Sequence, residues 1–219
     1  MGALDFTLVF AAWPKLLAGL GYDFYFATFG FICGCAIGFV CYLASASPWR
    51  AVRWLAYVYV QIVRGMPMYL LLLWLYFGLA SKFGLALSGQ QAIITAIAIM
   101  SSAFCAEVFR SGYGALDLGQ AEAGKALGMT GFAINRHILL PQVIRTTIPP
   151  LLNIFVICFK AATYAAVVAV PELVFQAQDL SLNHYRPFEA YITVGVMLIA
   201  TVVTLSLLTA AVERRLAIP

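Results

Sequence analysis

Two cations, Arg64 and Lys160, lie inside apolar runs that carry no other charge. A charge within a bilayer is costly, so it turns to the bundle interior and has a task there. Each lies roughly 10 residues into its run, or about 15 Å at helical rise, which places both near the midplane. Two cations at that depth suit the α-carboxylate of an amino acid, or an acidic side chain. Gln61, Thr163 and Tyr164 offer polar tips at compatible depths, and Gly65 and Pro67 loosen the chain beside Arg64 so that backbone groups can meet a substrate. The competing role is bracing, with Arg64 held by Glu107 or a carbonyl. Glu107 itself reads as structural, paired with Arg110 one turn on.

The elements that must carry these residues are membrane helices. Of 219 residues, 63% are hydrophobic and 10% charged, with a mean hydropathy of +0.94. A soluble domain is nearer half apolar and a quarter charged, so a soluble enzyme and a disordered chain are both excluded. The net charge of +4 is too small for a nucleic-acid binder. A spanning helix needs about 20 apolar residues. Five stretches qualify, at about 24–46, 54–80, 84–109, 146–170 and 190–212. The expectation is an all-α integral membrane protein, one transmembrane domain over 1–219, whose glycine-rich spans pack on one another.

The placement of Lys and Arg orients the bundle. Arg50, Arg53, Arg110, Lys125, Arg136, Arg145, Arg214 and Arg215 fall on one side, against Lys15, Lys82 and Arg186 on the other. The positive-inside rule puts the N-terminus outside and the C-terminus in the cytoplasm. The start, MGALDF, has no basic residue before Lys15, unlike a cleavable signal. Residues 6–20 are apolar but interrupted by Pro14, and read as an interfacial segment. The outer loop 172–189 reads as a solvated linker or an external gate. Cys33, Cys35, Cys41, Cys105 and Cys158 all lie in apolar runs and read as small buried hydrophobes, with no metal site expected. His137 and His184 fall outside the spans, which removes the Ser–His pair an intramembrane protease needs.

The cytoplasmic segment, about 113–142, is the most informative stretch. Residues 120–127 are good helix formers and Gly128 stops them. Thr130 can cap a second helix, 132–139, which Pro141 ends. The exposed face, with Ala121, Ala123 and Ala126, is small enough for another protein to approach closely. Gly119–Lys125 spells the frame of a phosphate-binding loop, but Ala126 stands where a magnesium-binding hydroxyl belongs and no strand precedes it, so no ATP site is expected.

Glu122-Ala123-Gly124, Gly128 and Ile138-Leu139-Leu140-Pro141-Gln142 resemble the EAA loop of ABC importer permeases. Gly124 replaces the usual alanine. Arg64-Gly65-Met66-Pro67, Ala106-Glu107-Val108-Phe109-Arg110, Gly119-Gln120, Pro149-Pro150-Leu151, Lys160 with Thr163, Pro171-Glu172-Leu173 and Tyr185-Arg186-Pro187-Phe188-Glu189 follow the order of the polar amino-acid permeases that serve histidine, glutamine, glutamate, arginine, cystine and opines. Met66 stands where that family mostly has Thr or Ser, and Ala161-Ala162 replaces a more polar pair.

The resemblance implies a type I ABC importer fold in a bacterial cytoplasmic (inner) membrane. It implies a substrate path through Gln61, Arg64, Met66, Lys160, Thr163 and Tyr164, and ATPase coupling through Gln120, Glu122, Ala123, Lys125, Ala126 and Gly128. The implied partners are two ATPase subunits that bind ATP and Mg in place of any cofactor in this chain, a second permease subunit, identical or related, and an extracytoplasmic amino-acid-binding protein. On the residues alone, the alternative is a secondary transporter or channel subunit without an ATPase partner.

Overall fold

The computed structural model describes residues 5–216. Among them there is no strand. The chain runs α1 (Thr7–Ala11), α2 (Trp13–Ser45), α3 (Arg50–Gly65), α4 (Met68–Leu73), α5 (Leu79–Phe83), α6 (Gly89–Gly114), α7 (Leu118–Ala126), α8 (Gly131–Ile134), α9 (Leu140–Ala162), α10 (Leu173–His184) and α11 (Pro187–Leu216). π turns at Trp74–Gly78 and Asn135–Leu139 join α4 to α5 and α8 to α9, and a 3₁₀ turn at Thr163–Val168 follows α9. Four helical stretches are long and apolar enough to cross a membrane, and α3 with α4–α5 makes a fifth if counted as one bent span.

The α2–α6 seam is built on glycine. A Cβ on Gly30 would stand 2.5 Å from Ile97 Cγ2, one on Gly34 would collide with Ser101 Oγ, and one on Gly38 would stand 2.6 Å from the Ser102 carbonyl oxygen. These glycines recur at every fourth position and so share one helix face. Lipid supplies no hydrophobic drive between helices, so close backbone approach and van der Waals packing hold the pair. Around the seam, Phe26, Ile93, Ile97, Cys105, Cys158 and Phe159 form the main core. Phe24 packs on Phe159 at 4.8 Å between ring centres and Phe31 on Phe155 at 5.6 Å, which fastens α9 to α2. A second cluster of Leu16, Leu173, Ala177, Leu180, Ala190 and Val194 binds α10 between α2 and α11.

Several expectations give way here. Residues 6–20 are divided between α1 and the start of α2 at Trp13, with Pro14 in its first turn, where the missing N–H has no helical partner to lose. The second span is not one straight helix. Pro67 holds Met66 extended, at φ −87° and ψ 128°, and the two halves meet at 101°. The third begins at Gly89 instead of 84, because Gly84, at φ 67°, closes α5 and Ser88 and Gln91 form a reciprocal capping box. Pro141 ends nothing. It occupies the first turn of α9, and the π turn before it has wide enough geometry to take the ring. Residues 172–189 are not an open linker. Glu172 accepts the N–H groups of Val174 and Phe175 and starts α10, and Tyr185, at φ 55°, closes it.

Candidate functional site

Arg64 ends α3 at the break before Pro67. The last-turn carbonyls of α3 have no helical partners beyond the break, and the Arg64 side chain is exposed and lines two clefts. One cavity of about 420 Å³ is lined by Tyr57, Gln61, Arg64, Glu107 and Arg110. A second, of about 480 Å³, is lined by Arg64, Phe104, Glu107, Arg110 and Asn153. Arg64, Glu107 and Arg110 thus form a shared wall. The Arg64 guanidinium lies 5.8 Å over the Phe104 ring, a cation–π contact. Among the described residues Arg64 forms no ion pair; Glu107 is instead 2.6 Å from Arg110, the pairing expected from sequence. That pair is partly exposed and contributes about 0–1 kcal/mol.

Lys160 is elsewhere. With Thr163 it lines a cavity of about 340 Å³ closed by Leu198, Ile199, Val202 and Val203 of α11. The Thr163 hydroxyl donates to the Lys160 carbonyl at 2.7 Å, so its lone pairs stay open to the cavity. Lys160 forms no ion pair among the described residues. Tyr164 packs edge-on to Tyr69 at 6.0 Å, bridging the end of α9 to α4. Met66 is exposed at the break. The structure therefore brings Gln61 and Arg64 together, and Lys160 and Thr163 together, in separate cavities of this chain. Asn153 was not singled out from sequence, although a lone polar residue in an apolar run was a signal for it.

Residues 113–142 fold as the short helix α7, a tight turn, and α8, which continues through the π turn into α9. Asp117 accepts the Gly119 N–H at 2.8 Å and starts α7. Gly128, at φ 75°, ends it: the Gly128 N–H donates to the Lys125 carbonyl at 2.9 Å and the Met129 N–H to the Gly124 carbonyl at 3.0 Å. These two hydrogen bonds make a Schellman motif. Thr130 then accepts from the Ala133 N–H at 3.3 Å and starts α8. Gly124 is buried, and a Cβ there would stand 2.8 Å from Ile134 Cγ1. The helices cross so closely that any side chain here would have to displace Ile134. Glu122, Ala123, Lys125 and Ala126 are exposed on the outer face, with Leu127 and Phe132 at 81% and 73% exposure beside them. The Gln142 Nε2 donates to Gln120 Oε1 at 2.7 Å and the Gln120 Nε2 to Gln142 Oε1 at 3.3 Å, tying α7 to the base of α9.

Residues 28–218 match the family of binding-protein-dependent transport system inner membrane components. The chain belongs to that family. It is the membrane permease component of an ABC transport system. The arginine transport system permease ArtQ of Bacillus subtilis (strain 168) is 30% identical over 97% of each chain. The L-cystine transport system permease TcyB of the same organism is 31% identical over 93% of this chain and 87% of its own length. A solved amino acid ABC transporter, crystallised with histidines, superposes with a TM-score of 0.91 at 31% identity over 98% of this chain and 100% of that one. The all-α membrane fold expected from sequence, in ABC importer permease form, is the fold found.

Proposed function

We propose that this permease carries a polar amino acid into a bacterial cell across its inner membrane, with its N-terminus outside and its C-terminus in the cytoplasm. The observation that carries the cargo class is that Arg64 and Lys160 each line a cavity and form no ion pair among the described residues, and an α-carboxylate supplies a partner. The names of similar proteins, which transport arginine and cystine, agree with that class. Gln61, Met66, Thr163 and Tyr164 complete the path.

The chain forms half of a pore with an identical or related subunit. ATP and Mg bind to two ATPase subunits beneath it, and this chain binds neither. Gln120, Glu122, Ala123, Lys125, Ala126 and Gly128 present the docking face of α7 to one ATPase. A binding protein delivers cargo from outside. The test is gentle extraction of the tagged chain from its own membrane. An ATPase subunit in equal number to permease chains is expected, and the binding protein of the same system is expected to hold an amino acid. A chain that leaves the membrane alone and stable contradicts the reading.

A further inference from the structure

Asp23 and Glu172 are both completely buried, and they come from different elements. Asp23 lies on α2. Glu172 sits at the corner between the 3₁₀ turn and α10. A Cβ on Gly19, one turn before Asp23, would stand 2.9 Å from Leu173 Cα, so α2 and the corner touch backbone to backbone.

Glu172 uses both oxygens on α10: Oε2 accepts the Val174 N–H at 2.7 Å and Oε1 the Phe175 N–H at 2.8 Å. Neither oxygen of Asp23 has a hydrogen-bond partner of good geometry among the described residues, and the backbone donor beside it is the Leu173 N–H. Its charged neighbour is the Glu172 carboxyl. The elements around the pair bring no cation to it. The outer half of α6 has no ionisable residue, Lys160 of α9 opens onto its own cavity, Asp179 of α10 accepts from Asn183, His184 is exposed at the end of α10, and Arg186 pairs with Glu189 on α11. On α2 itself Lys15, Tyr22 and Tyr25 are exposed.

Two carboxyls buried against each other do not both ionise. The N-terminus of α10 favours the negative charge on Glu172, which leaves the proton to Asp23. We propose that Asp23 is a positioning residue of the transport cycle: its protonated carboxyl donates a hydrogen bond to the Glu172 carboxylate and clasps the corner after Lys160 onto the first span. When the proton passes to bulk water, two facing carboxylates push the corner away.

Ala169 is held at φ 56°, a left-handed conformation that a non-glycine residue keeps only where its surroundings enforce it. It lies between Thr163 of the Lys160 cavity and Glu172. With 33 residues, α2 is about 50 Å long at helical rise, well beyond a hydrocarbon core of about 30 Å. Asp23 is in its first third, near the edge of the membrane, within reach of water once the corner lifts. The face that exchanges the proton is the outer one, which rests on the orientation proposed above.

The test uses the complex with its ATPase and binding protein in proteoliposomes, with uptake followed as external pH goes from mildly acidic to alkaline. Wild-type uptake is expected to fall several-fold on the alkaline side. Asp23→Asn, whose amide donates but cannot ionise, is expected to keep the acidic-side rate and lose the fall. Asp23→Ala is expected to be slow throughout while still present in the membrane. An Asp23→Asn profile that falls as the wild type does, or an Asp23→Ala variant with wild-type uptake, overturns the clasp. Thermal stability of the solubilised complex is read in parallel. It should drop at alkaline pH in the wild type and stay level in Asp23→Asn, whatever the cargo. A level wild-type curve overturns the clasp even where the cargo class is wrong.

Discussion

Gln120 and Gln142 hold each other by both ends of their amides, at 2.7 and 3.3 Å, and so join the short helix α7 to the helix that carries Lys160. A third bond, from Gln142 Nε2 to the Ile138 carbonyl at 2.8 Å, fixes the pair to the π turn. A push on α7 therefore reaches α9 through a defined link. Each such bond contributes about 0.5–1.5 kcal/mol net. Gln142→Ala is expected to lower uptake per ATP hydrolysed several-fold, with the ATPase still bound. Unchanged stoichiometry in that variant would show that force travels by another route.

Gly128 is the hinge of the same segment. At φ 75° a β-branched residue is strained by about 1–2 kcal/mol, enough to open the Schellman turn. Gly128→Val is expected to abolish uptake and weaken ATPase co-purification, and Gly128→Asn, which tolerates this conformation, to lose much less. Equal behaviour of the two variants counts against a conformational role.

The α2–α6 seam predicts a sharp contrast among glycines. Gly38→Leu places a side chain where a Cβ already lies 2.6 Å from the Ser102 carbonyl, whereas a Cβ at Gly195 meets nothing within 4 Å. Gly38→Leu should remove the monodisperse protein peak from detergent extracts, by a loss of at least about 2 kcal/mol of packing, while Gly195→Ala leaves it unchanged. Size-exclusion profiles of tagged variants decide the matter.

Lys160 should matter to transport and not to assembly. Its side chain is exposed to its cavity and braces no other element through an ion pair. Lys160→Ala is expected to cut uptake at least tenfold, equivalent to about 1.4 kcal/mol or more, with normal complex yield and basal ATP hydrolysis. Wild-type uptake in this variant removes Lys160 from the path.

Much of this architecture was legible in the sequence, and the failures have physical causes. The capped helix, the glycine stop and Thr130 were readable because caps and αL turns are local chemistry. So was the Glu107–Arg110 pair, three residues apart on one helix. Pro14 and Pro141 misled because proline breaks a helix interior but suits its first turn, and sequence does not say where a first turn falls. Gly30, Gly34 and Gly38 were visible as glycine density, yet only the facing Ile97, Ser101 and Ser102 make them a seam. Asp23 was missed because it sits just before the uncharged run that marked the first span; its partner Glu172 is distant in sequence. Arg64 and Lys160 share a depth by counting residues, but the rotation of their helices, set by packing, sends them to different cavities.

The central claim is that this chain turns ATP hydrolysis below the membrane into passage through it. The most direct measurement is uptake of labelled amino acid by proteoliposomes holding the intact complex, with binding protein outside and ATP either enclosed or absent. Uptake that requires enclosed ATP, and that disappears with Gly128→Val, is the predicted result. Uptake at the same rate without ATP would contradict the account.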